Sequence, residues 1–218
     1  MATSHRAGGN DSPNRRKLAS QRRRQAILDA GLEVFAAHGF AAARLDDVAE
    51  KAGVAKGTIY LSFKDKEDLF EQIVLGAIAP VLAQLDAVIA HTDVPADVLL
   101  AKIFEVFRTE VLGTRRKEVL RLVLTEGTRF PNIAKIYHRK VVSKGIGMIR
   151  RLAQRARARG EISSDGLIKF PHLVFAPLFL AVVWDGVFAR IEPLDVEGLL
   201  AAHADLLLGR TKPRKRSK

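Results

Sequence analysis

At 218 residues, 48% of them apolar, the chain is long enough to bury a core in one large domain or two small ones. It contains no cysteine, which excludes disulfides, thiolate–zinc sites and cysteine nucleophiles and agrees with a reducing, cytoplasmic setting. The net charge of +12 points towards nucleic acid, yet two stretches account for all of it: residues 1–24, with seven Lys/Arg against Asp11 alone, and 210–218, with six and no acid.

Residues 25–209 are therefore neutral overall. The excess charge belongs to two polar tails, 1–19 and 210–218, which composition predicts to be disordered. Such tails favour non-specific phosphate contact through counterion release, and they also occur as plain solubilising ends. Met1 to Ser20 has no apolar core of a secretory signal. The longest apolar stretch, Leu173 to Trp184, is twelve residues with Pro177 inside it. A membrane span takes about 20, so a buried helix is expected there and no membrane partner.

Apolar residues recur at helical spacing almost throughout, and no alternating strand pattern is visible, so the predicted fold class is all-α. From Ser20 to His38, one face carries Ile27, Gly31, Val34, Phe35 and His38, with Gly39 as C-cap. Two short segments follow, Leu45 to Ala52 and Lys56 to Phe63, with Gly53 between them. Asp65 reads as an N-cap, and Glu67 and Asp68 suit the positive end of the next helix, which runs through Leu69, Ile73 and Ile78 towards Ile89 with Pro80 as a kink. After a break at His91 to Val94, further helices are predicted at Pro95–Leu112, Arg116–Arg129, Pro131–Arg159, Asp165–Arg190 and Asp195–Leu208. Gly113, Pro131, Gly160 and Pro193 separate them. No internal repeat is present.

The stretch Arg44 to Asp68 is the informative one. Two short amphipathic helices meet at a turn that needs a left-handed residue, and Gly53 supplies it. Val48, Ala49, Ala52, Val54 and Ile59 fall where the helices pack on each other and on Phe35, with Ala49 small at the crossing. The second helix is then free to project into a major groove. Lys51, Lys56 and Lys64 offer charge to phosphate, and Thr58, Tyr60 and Ser62 offer hydroxyls to phosphate or base edges. Arg22, Arg23 and Arg24 are placed to act as an N-terminal arm. The alternative is a helical hairpin with solvated lysines.

The run Gly53-Val54-Ala55-Lys56-Gly57-Thr58-Ile59-Tyr60-Leu61-Ser62-Phe63-Lys64-Asp65-Lys66-Glu67-Asp68-Leu69 resembles the signature of the tetracycline-repressor (TetR) family. Ala30, Phe35, Gly39-Phe40 and Leu45-Asp46-Asp47-Val48-Ala49 match the two helices before it. Glu126-Gly127-Thr128-Arg129-Phe130-Pro131 is similar to the regulatory domain of the AcrR-like branch. The resemblance implies a helix-turn-helix domain at 20–66 and a ligand-binding and dimerisation domain at 67–209. It also implies phosphate or groove contacts by Lys56, Gly57, Thr58, Tyr60, Ser62, Lys64 and Lys66. Two positions depart from the pattern. Arg44 stands where the family has a capping Ser or Thr, although it remains a candidate phosphate contact, and Ala55 stands where a small hydroxyl is common.

The same resemblance implies a homodimer built from the last two helices, with Phe175, Phe179, Val183, Val187, Leu199, Leu200 and Leu207 in the interface. Recognition helices would then sit on half-sites about 34–36 Å apart, or a multiple of that. It further implies a pocket for a small-molecule inducer, with Phe104, Phe107, Arg108, Leu122, Glu126, Phe130, Tyr137 and Trp184 as candidate lining residues, plain core packing being the alternative for each. Lys66 to Ile89 is the expected transmitter. The expected outcome is a cytoplasmic ligand-responsive regulator, a repressor of an operator in double-stranded DNA, with no cofactor and no metal. An enzyme is disfavoured because His5, His38, His91, His138, His172 and His203 are dispersed without ligand or triad spacing. A sequence-tolerant architectural DNA protein relying on its basic tails is the remaining rival.

Overall fold

The computed structural model describes residues 12–90 and 93–209, and among these no β-strand occurs, as the all-α reading expects. His5, His91, the tail 210–218 and most of the N-terminal tail lie outside the described residues. The chain divides into two compact units, one ending at Ile73 and the other starting at Val74.

In the first unit, α1 (Ser12–Ala42) starts well before the expected Ser20, so Arg15, Arg16 and Lys17 lie on a helix and not on a disordered tail. Pro13 stands in its first turn, where a missing N–H forfeits no helical bond. Gly39, at φ 73°, ends the regular helix, and a short turn runs on to Ala42. Lys66 secures that end: its Nζ donates to the carbonyls of Phe40 and Ala41 at 2.8 and 3.0 Å and lies 5.0 Å above the Phe40 ring. Carbonyls at a helix end have no intrahelical donor, so an ammonium there is a fitting substitute. His38, expected on the buried face, is exposed.

Two short helices, α2 (Leu45–Lys51) and α3 (Lys56–Ser62), lead to α4 (Lys66–Ala90). The start of α4 is capped reciprocally: Asp65 Oδ1 accepts the Asp68 N–H at 2.8 Å while Asp68 Oδ2 accepts the Lys64 N–H at 3.1 Å. Phe35, Phe40 and Phe70 form the centre of the core, with ring centroids 5.3 to 6.4 Å apart. Each buried ring of this kind contributes about 1.5–3 kcal/mol of transfer free energy. Gly31 suits the close approach of α4 to α1: a Cβ there would stand 3.0 Å from Ile73 Cδ1, tighter than ordinary contact.

By length and composition α4 is apolar enough to cross a membrane. Seven of its apolar side chains are buried within the protein. Leu69, Phe70 and Ile73 are buried in the first unit, and Val74, Ile78, Val81 and Ile89 in the second.

The second unit continues with α5 (Ala96–Val106), α6 (Lys117–Glu126), α7 (Pro131–Tyr137), α8 (Ser143–Ala158), α9 (Gly166–Lys169), α10 (His172–Val187) and α11 (Val196–Leu207). Two of the expected long helices contain π-helical turns, Phe107–Leu112 after α5 and His138–Val142 between α7 and α8. The expected helix at 165–190 is broken at Phe170, held at φ −125° by the following Pro171, because a residue before proline is driven out of helical geometry. At the end of α8, Gly160 at φ 72° lets the Glu161 N–H reach the Ala156 carbonyl and close the helix. Three cations of α8 are tied down: Arg151 meets Asp86 at 2.8 Å, Arg150 donates to the Ile168 carbonyl and Arg155 to that of Ile89.

Candidate functional site

The turn between α2 and α3 is a Schellman closure. Gly53 at φ 66° donates to the Glu50 carbonyl at 3.1 Å, and Val54 donates to the Ala49 carbonyl at 3.0 Å. These two bonds fix the angle at which α3 leaves α2. Val48 and Ala49 are buried beneath the crossing, and Ala49 has no exposed surface, which lets the axes approach. Neither Arg44 nor Ala55 caps the helix that it precedes through its side chain, as their residue types imply.

Within α3, Ile59 is the one buried residue. Lys56, Gly57, Tyr60, Leu61 and Ser62 are exposed, and Thr58 is half-buried. The surface is more self-engaged than its sequence suggests. Asp46 Oδ2 accepts from Lys56 Nζ at 2.8 Å, and Asp46 Oδ1 accepts from the Tyr60 hydroxyl at 3.1 Å. Those bonds, the Lys56 one first, hold the Asp46 carboxyl below its ordinary value; they raise Lys56 and Tyr60 in turn. Ser62 bonds back to the Thr58 carbonyl, and Lys51 pairs with Glu33 at 2.8 Å. Lys64 and Arg44 are exposed at the two flanks, whereas Lys66 is occupied by the α1 terminus. Arg24 does not belong to a free arm: it donates to Gln72 and stacks 5.3 Å over Phe63. Leu61, 92% exposed, is a residue that sequence reasoning missed. Its apolar type at an outward position of the second helix was the available signal.

The second unit holds a partly open cavity of about 310 Å³ lined from α4, α5, α6, α8 and α10, from Tyr137 at the end of α7, and from both π-helical turns. Of the eight expected pocket residues, Phe107 and Tyr137 line it. Phe104 and Arg108 border a separate, acidic groove between α5 and α11. Leu122 is buried away from either, and Glu126 and Phe130 belong to the α6–α7 turn. Trp184 closes the turn after α10 by donating to the Glu192 carbonyl at 2.7 Å. Ile78, Val81, Leu120 and Leu178 are lining residues that periodicity could not tell from core.

The residue run 27–73 matches the model described as bacterial regulatory proteins, tetR family, and residues 93–202 match the tetracyclin repressor-like C-terminal domain. The chain belongs to the TetR family. As a TetR-family member it is one of a group of DNA-binding transcriptional regulators and not of enzymes. The regulator AcrR of Shigella flexneri is 46% identical over 57 residues, which make up 26% of this chain and 26% of AcrR, so the match spans only about a quarter of that relative. The fold extends much further. FadR of Bacillus subtilis, solved with stearoyl-CoA, superposes with a TM-score of 0.68 at 21% identity over 86% of this chain and 99% of that one. SmeT, solved with triclosan, gives 0.66 at 21% identity over 84% and 90%.

Of the residues that the TetR resemblance assigns to dimerisation, Phe179, Val183 and Val187 are exposed on α10, and Leu199 and Leu207 are half-buried on α11. Phe175 instead turns inward, its ring meeting the space a Cβ on Gly145 would take. Leu200 is buried in the protomer where α11 packs on α5. Leu180 within α10, and Phe188 and Ile191 in the turn after it, are further exposed apolar residues.

Proposed function

We propose that this protein is a homodimeric transcriptional regulator that holds a palindromic DNA operator through α3 and leaves it when a small molecule fills the cavity of the second unit. The observation that carries the DNA-binding part is the one-sided burial of α3. A helix of seven residues spends Ile59 on the core and presents Lys56, Gly57, Tyr60, Leu61 and Ser62 outward. That division suits a helix held for insertion into a major groove. Arg44, Lys56 and Lys64 are assigned to phosphate, Thr58, Tyr60 and Ser62 to phosphate or base edges, and Leu61 to a thymine methyl.

The exposed Phe179, Val183, Val187 and Ile191 support pairing of two copies, because a contiguous apolar face is costly in water and marks an interface. A two-fold pair would present two recognition helices to two half-sites. The cavity supports a ligand, as do the complexes of FadR with stearoyl-CoA and SmeT with triclosan. A ligand that prefers one of two conformations lowers operator affinity by its differential binding, typically about 1–3 kcal/mol, and α4, which serves both cores, is the candidate transmitter.

The test is selection of genomic fragments by the purified full chain, then gel shifts on the best fragment with and without candidate ligands. One enriched palindrome is the expected result. Binding that follows only salt and fragment length would replace this reading with that of an architectural protein.

A further inference from the structure

We infer that the cavity of the second unit takes a compact, uncharged, lipophilic molecule bearing one hydrogen-bond acceptor, which meets the Tyr137 hydroxyl, and that it excludes carboxylates, phosphates and acyl chains on anionic carriers. The inference rests on the ligand-responsive reading above and concerns the chemistry of the ligand, which that reading leaves open.

No Lys, Arg, Asp or Glu is among the residues that line this cavity. Tyr137 and His172 alone bring polar side chains to an otherwise aliphatic and aromatic wall. An ionised ligand would give up its hydration without receiving a counter-charge, which is prohibitive in an apolar interior. The volume of about 310 Å³ lies at the small end of the range of about 300–1,000 Å³ for ligand sites, which favours a compact molecule over a long acyl chain.

Tyr137 supplies the single point of orientation. The residue is buried, and its hydroxyl makes no hydrogen bond to another described group yet keeps some accessible surface, which leaves it open to an acceptor. Burial pushes its pKa above the ordinary phenol value, which keeps the proton in place. His172, at the exposed start of α10, stands at the rim.

The backbone gives an independent indication. Both π-helical turns contribute to this wall, Phe107 and Val111 from one and Val141 and Val142 from the other, and Tyr137 directly precedes the second. A π-turn inserts one residue and re-aims the side chains after it, and such turns are frequent at functional sites.

The probe is prodan, an uncharged naphthalene ketone whose emission moves to the blue in apolar surroundings and to the red when its carbonyl accepts a hydrogen bond. It is titrated into the full chain beside the naphthoate in which a carboxylate replaces the ketone, and beside stearoyl-CoA. One prodan per chain with blue-shifted emission is expected, and the naphthoate should bind at least about tenfold more weakly. Tyr137→Phe, which keeps the ring, should move the bound emission further to the blue and weaken binding about threefold to tenfold. Val142→Trp, which fills the cavity, should abolish the signal, with circular dichroism confirming the helical fold. Equal binding of the naphthoate or stearoyl-CoA, unchanged emission in Tyr137→Phe, or undiminished binding by Val142→Trp would overturn the inference. Prodan binding without loss of operator affinity would support the ligand class and overturn the regulatory reading instead.

Discussion

Lys56 Nζ lies 2.8 Å from Asp46 Oδ2, so the first cation of α3 is held by an acid of the helix before it. The Tyr60 hydroxyl joins the same carboxylate, and two proposed DNA contacts thereby share one anchor. Asp46 orients both groups and repels phosphate at the same place. Asp46→Asn is expected to raise affinity for random DNA while narrowing the gap to the operator. Lys56→Ala should weaken both and make the dependence of log K on log salt shallower by about 0.9. Fluorescence anisotropy over a salt series reads both outcomes.

Gly53 and Gly57 should respond in opposite ways. Neither has an atom within 4 Å of where a Cβ would be. Gly53 is at φ 66°, where an L side chain costs about 1–2 kcal/mol, so Gly53→Ala should lower stability by that amount through backbone strain alone. Gly57 is helical, and Gly57→Ala should leave stability unchanged or raise it by up to about 1 kcal/mol. If DNA approaches this helix closely, the same substitution should still reduce operator affinity. Urea melts and gel shifts on both variants separate the two effects.

Leu61 makes no demand on the core, so Leu61→Ser should melt like the parent. Its expected loss is discrimination at one base pair of each half-site, about 1–3 kcal/mol if a thymine methyl is the partner. A binding selection in which the preferred sequence is unchanged would remove Leu61 from the interface.

The outer face of α10 can be tested without touching the protomer's own packing. Val183 and Val187 are 39% and 60% exposed, so glutamate at both should be tolerated in a single chain. Sedimentation of the Val183→Glu/Val187→Glu variant is expected to show a helical monomer. A dimer of unchanged strength would move the interface elsewhere.

Asp185 of α10 accepts from Lys117 at 2.8 Å and from Arg121 at 2.9 Å, both on α6, and Lys117 foremost holds its carboxyl below the ordinary value. A depressed carboxylate contributes stability that is fully present above its unfolded pKa of about 3.9 and is lost as the pH falls through the lowered value. With the pair partly exposed, Asp185→Asn should cost no more than about 0.2–1 kcal/mol at neutral pH. Calorimetry should find the two proteins converging as the pH falls through the lowered Asp185 value.

Local chemistry made much of the first unit legible in the sequence. A left-handed turn at Gly53, an N-cap at Asp65 and a helix stop at Gly39 each depend on residues a few positions apart, and all three are present. The all-helical class followed from a periodicity that every segment repeats. Only the tertiary structure decided which polar groups are free. Lys66 is taken by carbonyls 25 and 26 positions earlier, and Lys56 and Tyr60 by an acid 10 and 14 positions away. It also decided which apolar residues face the cavity, the protein surface or the core. Helical spacing gives Phe175, Phe179 and Leu200 the same apolar pattern, because a period says that a side is buried and not what buries it. Their different surroundings arise from contacts between helices far apart in the chain, where α8 meets Phe175 and α5 meets Leu200.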